Sequence, residues 1–334
     1  MKRAMCQTHT DSYVTVYPKF IEFADHQLED LFWLSSEHKF ELDKPHYDHE
    51  LTPAELHAVI MAQEIFTQYE LKVGIEYWLG RVMRKFPRPE IQRMCAAFGN
   101  VELNVHAPTY SKMVEVLGLA TDEFYTRWQR DETLRTRFDF IESTVKSRDD
   151  AESLAGFIFI EGAVLYSTFA LLRSFSSNGR NLLPVTTKAI TASILDEDWH
   201  CQGASYLFQT LLHEQERSPE ELVDLENKVK DTALAVYEHE CAIIKMYFEK
   251  GEIAGITEKD LKAFVASRIN ICLERMGYSH VFSVLDNPVE KWFELSAKGF
   301  SSTDFFVNGV SREYTVMWDR DSFGKCWEVK LDVA

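Results

Sequence analysis

The chain has 334 residues, 46% of them hydrophobic and 27% charged, a composition that excludes a disordered or collagen-like protein. Its 53 acidic residues against 36 basic ones leave a net charge of -17, which opposes non-specific binding to nucleic acid or to an anionic membrane. Six cysteines are scattered without a C-x-x-C pair, and MKRAMCQTHTDSY at the start holds no apolar signal-peptide core, so reduced thiols and a cytoplasmic setting are expected.

Taken in order, the first fifty residues are mixed, with FIEFADHQLEDLFWL (20–34) reading as helical. T-P-A-E at Thr52 to Glu55 is a capping box with proline at the first helical position. Apolar residues then recur at helical spacing to about Met83, and this helix carries Glu64, Glu70 and Glu76. KFPRPE breaks it. The pattern predicts further helices from about Pro89 to Leu117 and from Thr121 to Val145.

Next comes the most apolar stretch of the chain, LAGFIFIEGAVLYSTFALL (154–172), nineteen residues whose only charge is Glu161. By length it could just span a bilayer, but Lys146, Arg148, Asp149, Asp150 and Glu152 precede it and Arg173 follows. A helix apolar on every side is otherwise the centre of a large helical protein, and a lone carboxylate there needs a positive partner. After the loop SSNGRNLLP, helices are predicted from about Val185 to Glu214, from Ser218 to Lys250, and from ITEKD to about Arg275. Glycine (14) and proline (9) are scarce, and no series of alternating strands occurs. The reading is an all-α protein with one domain over 1–300 and a tail over 301–334.

Two carboxylate–histidine pairs carry the chemistry. Glu197 and His200 stand three apart, Glu102 and His106 four apart, so each pair shares one helical face. E-x-x-H alone is more often a solvated surface pair than a ligand pair. Together with lone acids on apolar helices, Glu70 and Glu161, the pairs fit the ferritin-like bundle with a di-metal carboxylate site. Four carboxylates and two imidazoles suit two divalent cations. Such a site would compensate the charge of Glu161.

Several separated segments resemble the small, radical-generating subunit of class I ribonucleotide reductase. They are QLEDLFW, FTQYELKVG (66–74), PEIQRMCAAFGNVELNVHAPTYSKM (89–113), IEGAVLYSTFA (160–170), LDEDWHCQGAS (195–205) and DFFVNGVSREY (304–314). The resemblance implies Glu70, Glu102, His106, Glu161, Glu197 and His200 as metal ligands and Tyr110 as the radical tyrosine, with Leu165 and Phe169 lining its apolar shell. It implies Trp33, Asp196 and Tyr314 as the route by which the oxidising equivalent leaves. It also implies two iron ions (dimanganese or mixed manganese/iron being served by the same ligands), dioxygen as oxidant, a homodimer, and a large catalytic subunit reached through the tail. Neither nucleic acid nor membrane is a partner on this reading, and no Gly-rich phosphate loop is present.

The chain departs from the family pattern in three places. It has E-x-x-x-H where the family has E-x-x-H; counting from Phe98 selects Glu102, while counting back from His106 lands on Leu103. One extra residue in a helix is absorbed as a π-bulge, so Glu102 is retained. The stretch from Glu70 to Pro89 is slightly long, which makes Glu76 a reserve ligand, and the first ligand is Glu where many relatives have Asp. The rival readings are a di-metal oxidase or oxygenase with its own small-molecule or lipid substrate, and a non-catalytic storage bundle. Neither needs Trp33, Asp196 and the tail together.

Overall fold

The computed structural model describes residues 4–177, 179–284 and 286–293, apart from the side chains of residues 67–70. Among the described residues all the regular elements are helices, and the one β-type pairing is an isolated bridge between Ile253 and Ile256. The expected tail over 301–334, with Tyr314, lies outside the described residues.

Helix α1 (Pro18–Glu29) starts on a proline and buries Phe20, Phe23, Ala24 and Gln27, the i, i+3, i+4, i+7 face of an amphipathic helix. It is shorter than the predicted 20–34, so Trp33 lies in the loop that follows. Helix α2 (Pro53–Lys72) opens on the anticipated capping box: Thr52 Oγ1 accepts from the Glu55 N–H at 3.3 Å, and Glu55 Oε2 accepts from the Thr52 N–H at 2.9 Å. It runs on as a π-helical stretch (Val73–Val82) into α3 (Met83–Lys85). Helices α4 (Pro89–Val101) and α5 (Ala107–Val116) are one rod interrupted by a π-helical segment over Glu102–His106.

The single helix predicted over 121–145 is instead two, α6 (Asp122–Thr126) and α7 (Glu132–Val145). A 3₁₀ turn over Arg127–Arg130 separates them, and the Asp131 carboxylate caps α7 by accepting the Leu134 N–H at 2.9 Å. A good N-cap side chain in mid-segment overrode the continuous periodicity.

The apolar stretch forms α8 (Asp150–Phe159) and α9 (Tyr166–Ser174), joined by a further π-helical segment over Ile160–Val164. It is long and apolar enough to cross a membrane, but its apolar window is entirely buried inside the protein, so it is the core helix. Around it pack α7, α10 (Pro184–Glu214), α11 (Pro219–Tyr247) and α12 (Glu258–Met276). At 31 residues α10 is about 46 Å long. Its first N–H groups, at Val185 and Thr186, donate to the buried Asp43 carboxylate at 3.2 and 2.7 Å. Ser218/Glu221 and Thr257/Asp260 are capping boxes for α11 and α12, and Gly277, at φ 89°, ends α12 in the left-handed conformation.

Candidate metal centre

Glu102 and His106 open and close one π-helical segment, Glu161 is the second residue of another, and Glu197 and His200 share a face of α10. A π-turn inserts one residue into a helical turn, so side chains four apart stand as those three apart do in an α-helix. Glu102, Glu161, Glu197 and His200 are all buried and offer ligand atoms within 4.8 Å of one another. His106 joins them, its Nδ1 lying 3.2 Å from Glu102 Oε2 and 3.2 Å from Glu197 Oε1. His200 Nδ1 lies 2.8 Å from Glu102 Oε1 and 3.5 Å from Glu161 Oε2.

Both imidazoles therefore face the cluster through Nδ1 and turn Nε2 away. His106 Nε2 donates to Asp196 Oδ2 at 3.0 Å, and His200 Nε2 donates to Gln27 Oε1 at 3.2 Å. An acceptor on Nε2 keeps the proton there and leaves Nδ1 to a metal, the usual outer support of a ligating histidine. Gln27 also ties the two sides together, because its Nε2 donates to Asp196 Oδ1 at 2.9 Å. Trp33 Nε1 donates to Asp196 Oδ2 at 2.7 Å, and its ring lies 5.9 Å from that of His106. The structure thus joins Trp33, Asp196 and His106 in one hydrogen-bonded chain. On the opposite side Trp78 Nε1 donates to Glu161 Oε1 at 2.9 Å.

The charges do not balance. Among the described residues the two imidazoles are the only cationic groups within ion-pair distance of Glu102, Glu161 and Glu197. Burial raises the Glu161 carboxyl well above its usual range, and the charge of Glu102 adds to the shift. Glu197 is raised in the same way by burial, then by Glu102 and Glu161. Burial alone would raise Glu102 too, but the His106 and His200 imidazoles hold it low. Burial opposes the charged form of His106, yet Glu102 and the hydrogen bonds around it keep its pKa well above that of free imidazole. Glu102 Oε1, Glu161 Oε2 and His200 Nδ1 are buried without a well-formed hydrogen bond among the described residues. Oxygen-rich donors, two imidazole nitrogens and unmet acceptors fit divalent metal ions.

Comparison with known proteins decides which family built this centre. The family described as "Ribonucleotide reductase, small chain" matches residues 11–288. The chain belongs to that family. A protein of Invertebrate iridescent virus 3, named as a probable ribonucleoside-diphosphate reductase small subunit, is 29% identical over 300 residues, covering 84% of this chain and 78% of the relative. A counterpart in Invertebrate iridescent virus 6 is 25% identical over 93% of this chain and 95% of its own length. In fold the chain resembles the dimanganese(II) NrdF of Streptococcus sanguinis, with a TM-score of 0.74 at 19% identity over 84% of this chain and 97% of that one. It is thus a small subunit of ribonucleoside-diphosphate reductase, an oxidoreductase with the ferritin-like helical fold that works with a large subunit.

Against that identity the remaining residues can be placed. Tyr110 is buried on α5, one turn beyond His106, with ring centroids 6.3 Å apart. Phe66 stacks on it at 4.2 Å and 11°, and Phe169 stacks on Phe66 at 5.3 Å; Leu165 is buried on the same central helix. Glu70 lies on α2, but its side chain is outside the described residues. Glu76 is not a ligand: it is exposed and stands 3.8 Å from Lys72. The π-helical stretch absorbed the extra length between Glu70 and Pro89 and turned Glu76 outward. Glu64 is buried too, but its partner is Arg127.

Sequence reasoning missed Gln27 and Trp78. Gln27 had a signal, as the one polar residue on the otherwise apolar face of α1. Trp78 had none, because a helical wheel loses its phase inside a π-helical stretch.

Proposed function

We propose that Glu70, Glu102, His106, Glu161, Glu197 and His200 hold two iron ions, or manganese in the same ligands, and that Tyr110 is the residue this centre oxidises. The bound metals would supply the capacity to reduce dioxygen. What this chain does follows from its own groups. The carboxylates exchange protons for metal charge, while Asp196 and Gln27 fix both imidazoles with Nδ1 inward. Tyr110 gives up one electron and its phenolic proton in a pocket where Phe66 and the surrounding apolar residues exclude water and reductants. Trp33, hydrogen-bonded to Asp196, is the first station on the way out, and Tyr314 is the next. The large subunit receives the oxidising equivalent and reduces ribonucleotides.

The same reading takes 1–300 as one helical domain and 301–334 as the segment that docks on the large subunit. It has the small subunit paired as a homodimer in the cytoplasm. The observation that carries the proposal is the convergence of both Nδ1 atoms and three buried carboxylates beside a buried tyrosine.

The test is low-temperature electron paramagnetic resonance on protein loaded anaerobically with Fe(II) and then exposed to air, with Tyr110→Phe alongside. A tyrosyl signal in the parent that vanishes in Tyr110→Phe is the expected result. Iron oxidation with no tyrosyl signal, repeated with manganese, would move the reading to a di-metal oxidase.

A further inference from the structure

Beside the metal centre, next to Gly162, two cysteines from different helices meet. Cys201 on α10 follows His200 directly, Cys272 lies on α12, and both are fully buried. Their sulfurs reach the same backbone acceptor, the Ile158 carbonyl on α8, at 3.8 and 3.6 Å. They also fill the same hole over Gly162, the residue after Glu161. A Cβ on Gly162 would overlap the Cys272 sulfur and stand 2.7 Å from the Cys201 sulfur, so glycine is what leaves room for both thiols. The two helices are already clamped around them: Arg275 and Arg268 of α12 donate to Asp198 Oδ1 of α10 at 2.8 and 3.2 Å.

We propose that Cys201 and Cys272 form a dithiol that a peroxide oxidises to a disulfide, joining α10 to α12 at the wall of the metal centre. One sulfur attacks a peroxide oxygen as the O–O bond breaks, giving a sulfenic acid and releasing water. The second sulfur then attacks the sulfenic sulfur, the S–S bond forms, and the hydroxyl leaves as water with the second thiol's proton. Two electrons pass from the two sulfurs to one hydrogen peroxide, and an external thiol reverses the change by exchange. A bond here would prevent α12 from sliding along the helix that carries Glu197 and His200.

The test treats the full-length chain with graded hydrogen peroxide, blocks remaining thiols with N-ethylmaleimide under denaturing conditions, and maps non-reduced peptides by mass spectrometry. The expected result is a Cys201–Cys272 linked peptide that dithiothreitol abolishes and that is absent from Cys201→Ser and Cys272→Ser. Recovery of both residues as blocked thiols or sulfinic acids, at a dose that oxidises the half-exposed Cys241, would overturn the proposal. So would linkage of either one to a different cysteine. Because the parent chain itself gives the deciding peptide, the result does not depend on the variants folding.

Discussion

Two of the places where the protein buries carboxylates are built differently. On one side of the bundle Glu240 of α11 accepts from Arg137 Nη1 of α7 at 2.7 Å and from Ser167 Oγ of α9 at 3.0 Å, so the fold supplies its own cation. At the metal centre three buried carboxylates face two imidazoles and no arginine or lysine among the described residues. Even with Arg137 beside it, Glu240 is pushed up to about 7, because burial outweighs the attraction. Glu161 and Glu197 are driven well above the ordinary carboxyl range. A site completed by protein charge is structural; one left short of positive charge is built for a ligand.

The largest expected effect comes from breaking the completed pair. Arg137→Ala strands Glu240 in the core and should cost about 3–5 kcal/mol in urea unfolding, while Arg137→Met combined with Glu240→Leu should recover most of it. Neither change should alter the bound metal count. At the metal centre the ordering reverses. Mn(II) added anaerobically at 100 times its dissociation constant should stabilise the parent by about 2.7 kcal/mol per site. Glu161→Ala should lose that gain and lower the metal-to-protein ratio, whereas metal-free Glu161→Gln should unfold no earlier than the metal-free parent.

Gln27→Leu sharpens the contrast further. It leaves every proposed ligand in place but removes the acceptor that orients His200, so metal affinity should fall by about 10–100-fold in a chelator competition. Unchanged affinity would mean that α10 alone orients the ring.

The most gradual effect, spread over several pH units, is a pH slope. A carboxyl whose pKa is higher in the folded than in the unfolded state stabilises fully below the unfolded value and loses that contribution as pH rises through the folded one. For Glu240 the window runs from 4.5 to about 7. Stability should fall across it by at most about 1.4 kcal/mol per pH unit from this group, and Glu240→Gln should flatten the slope. Glu161 and Glu197 act in the same direction in metal-free protein. Metal binding displaces their protons, so metal affinity should rise over the pH range where overall stability drifts down.

Much of the fold was legible because its signals are local. Capping boxes at Thr52, Ser218 and Thr257 mark three helix starts through hydrogen bonds that span only three residues. Set against the three-residue spacing of the family it resembles, the four-residue spacing of Glu102 and His106 calls for a π-turn, and one lies there. The break at Asp131 was not anticipated, because a capping aspartate and a solvated helix acid look alike until the chain turns. Glu70 and Tyr314, singled out by motif, lie outside what the structure describes at the side-chain level.

By itself, then, the sequence determined that this is a helical protein with an almost wholly apolar central helix, and that the acid on that helix needs compensating charge. Both conclusions depend only on composition and on a 3.6-residue period. What only the tertiary structure decided is which side chains meet at that acid. Each extra residue taken up by a π-turn rotates everything beyond it by about 100°. The π-helical stretch over Val73–Val82 sends Glu76 to the surface and brings Trp78 against Glu161. Gln27 reaches His200 from a helix 173 residues away in sequence. Such partners are chosen by packing between helices, and no window of sequence contains both members.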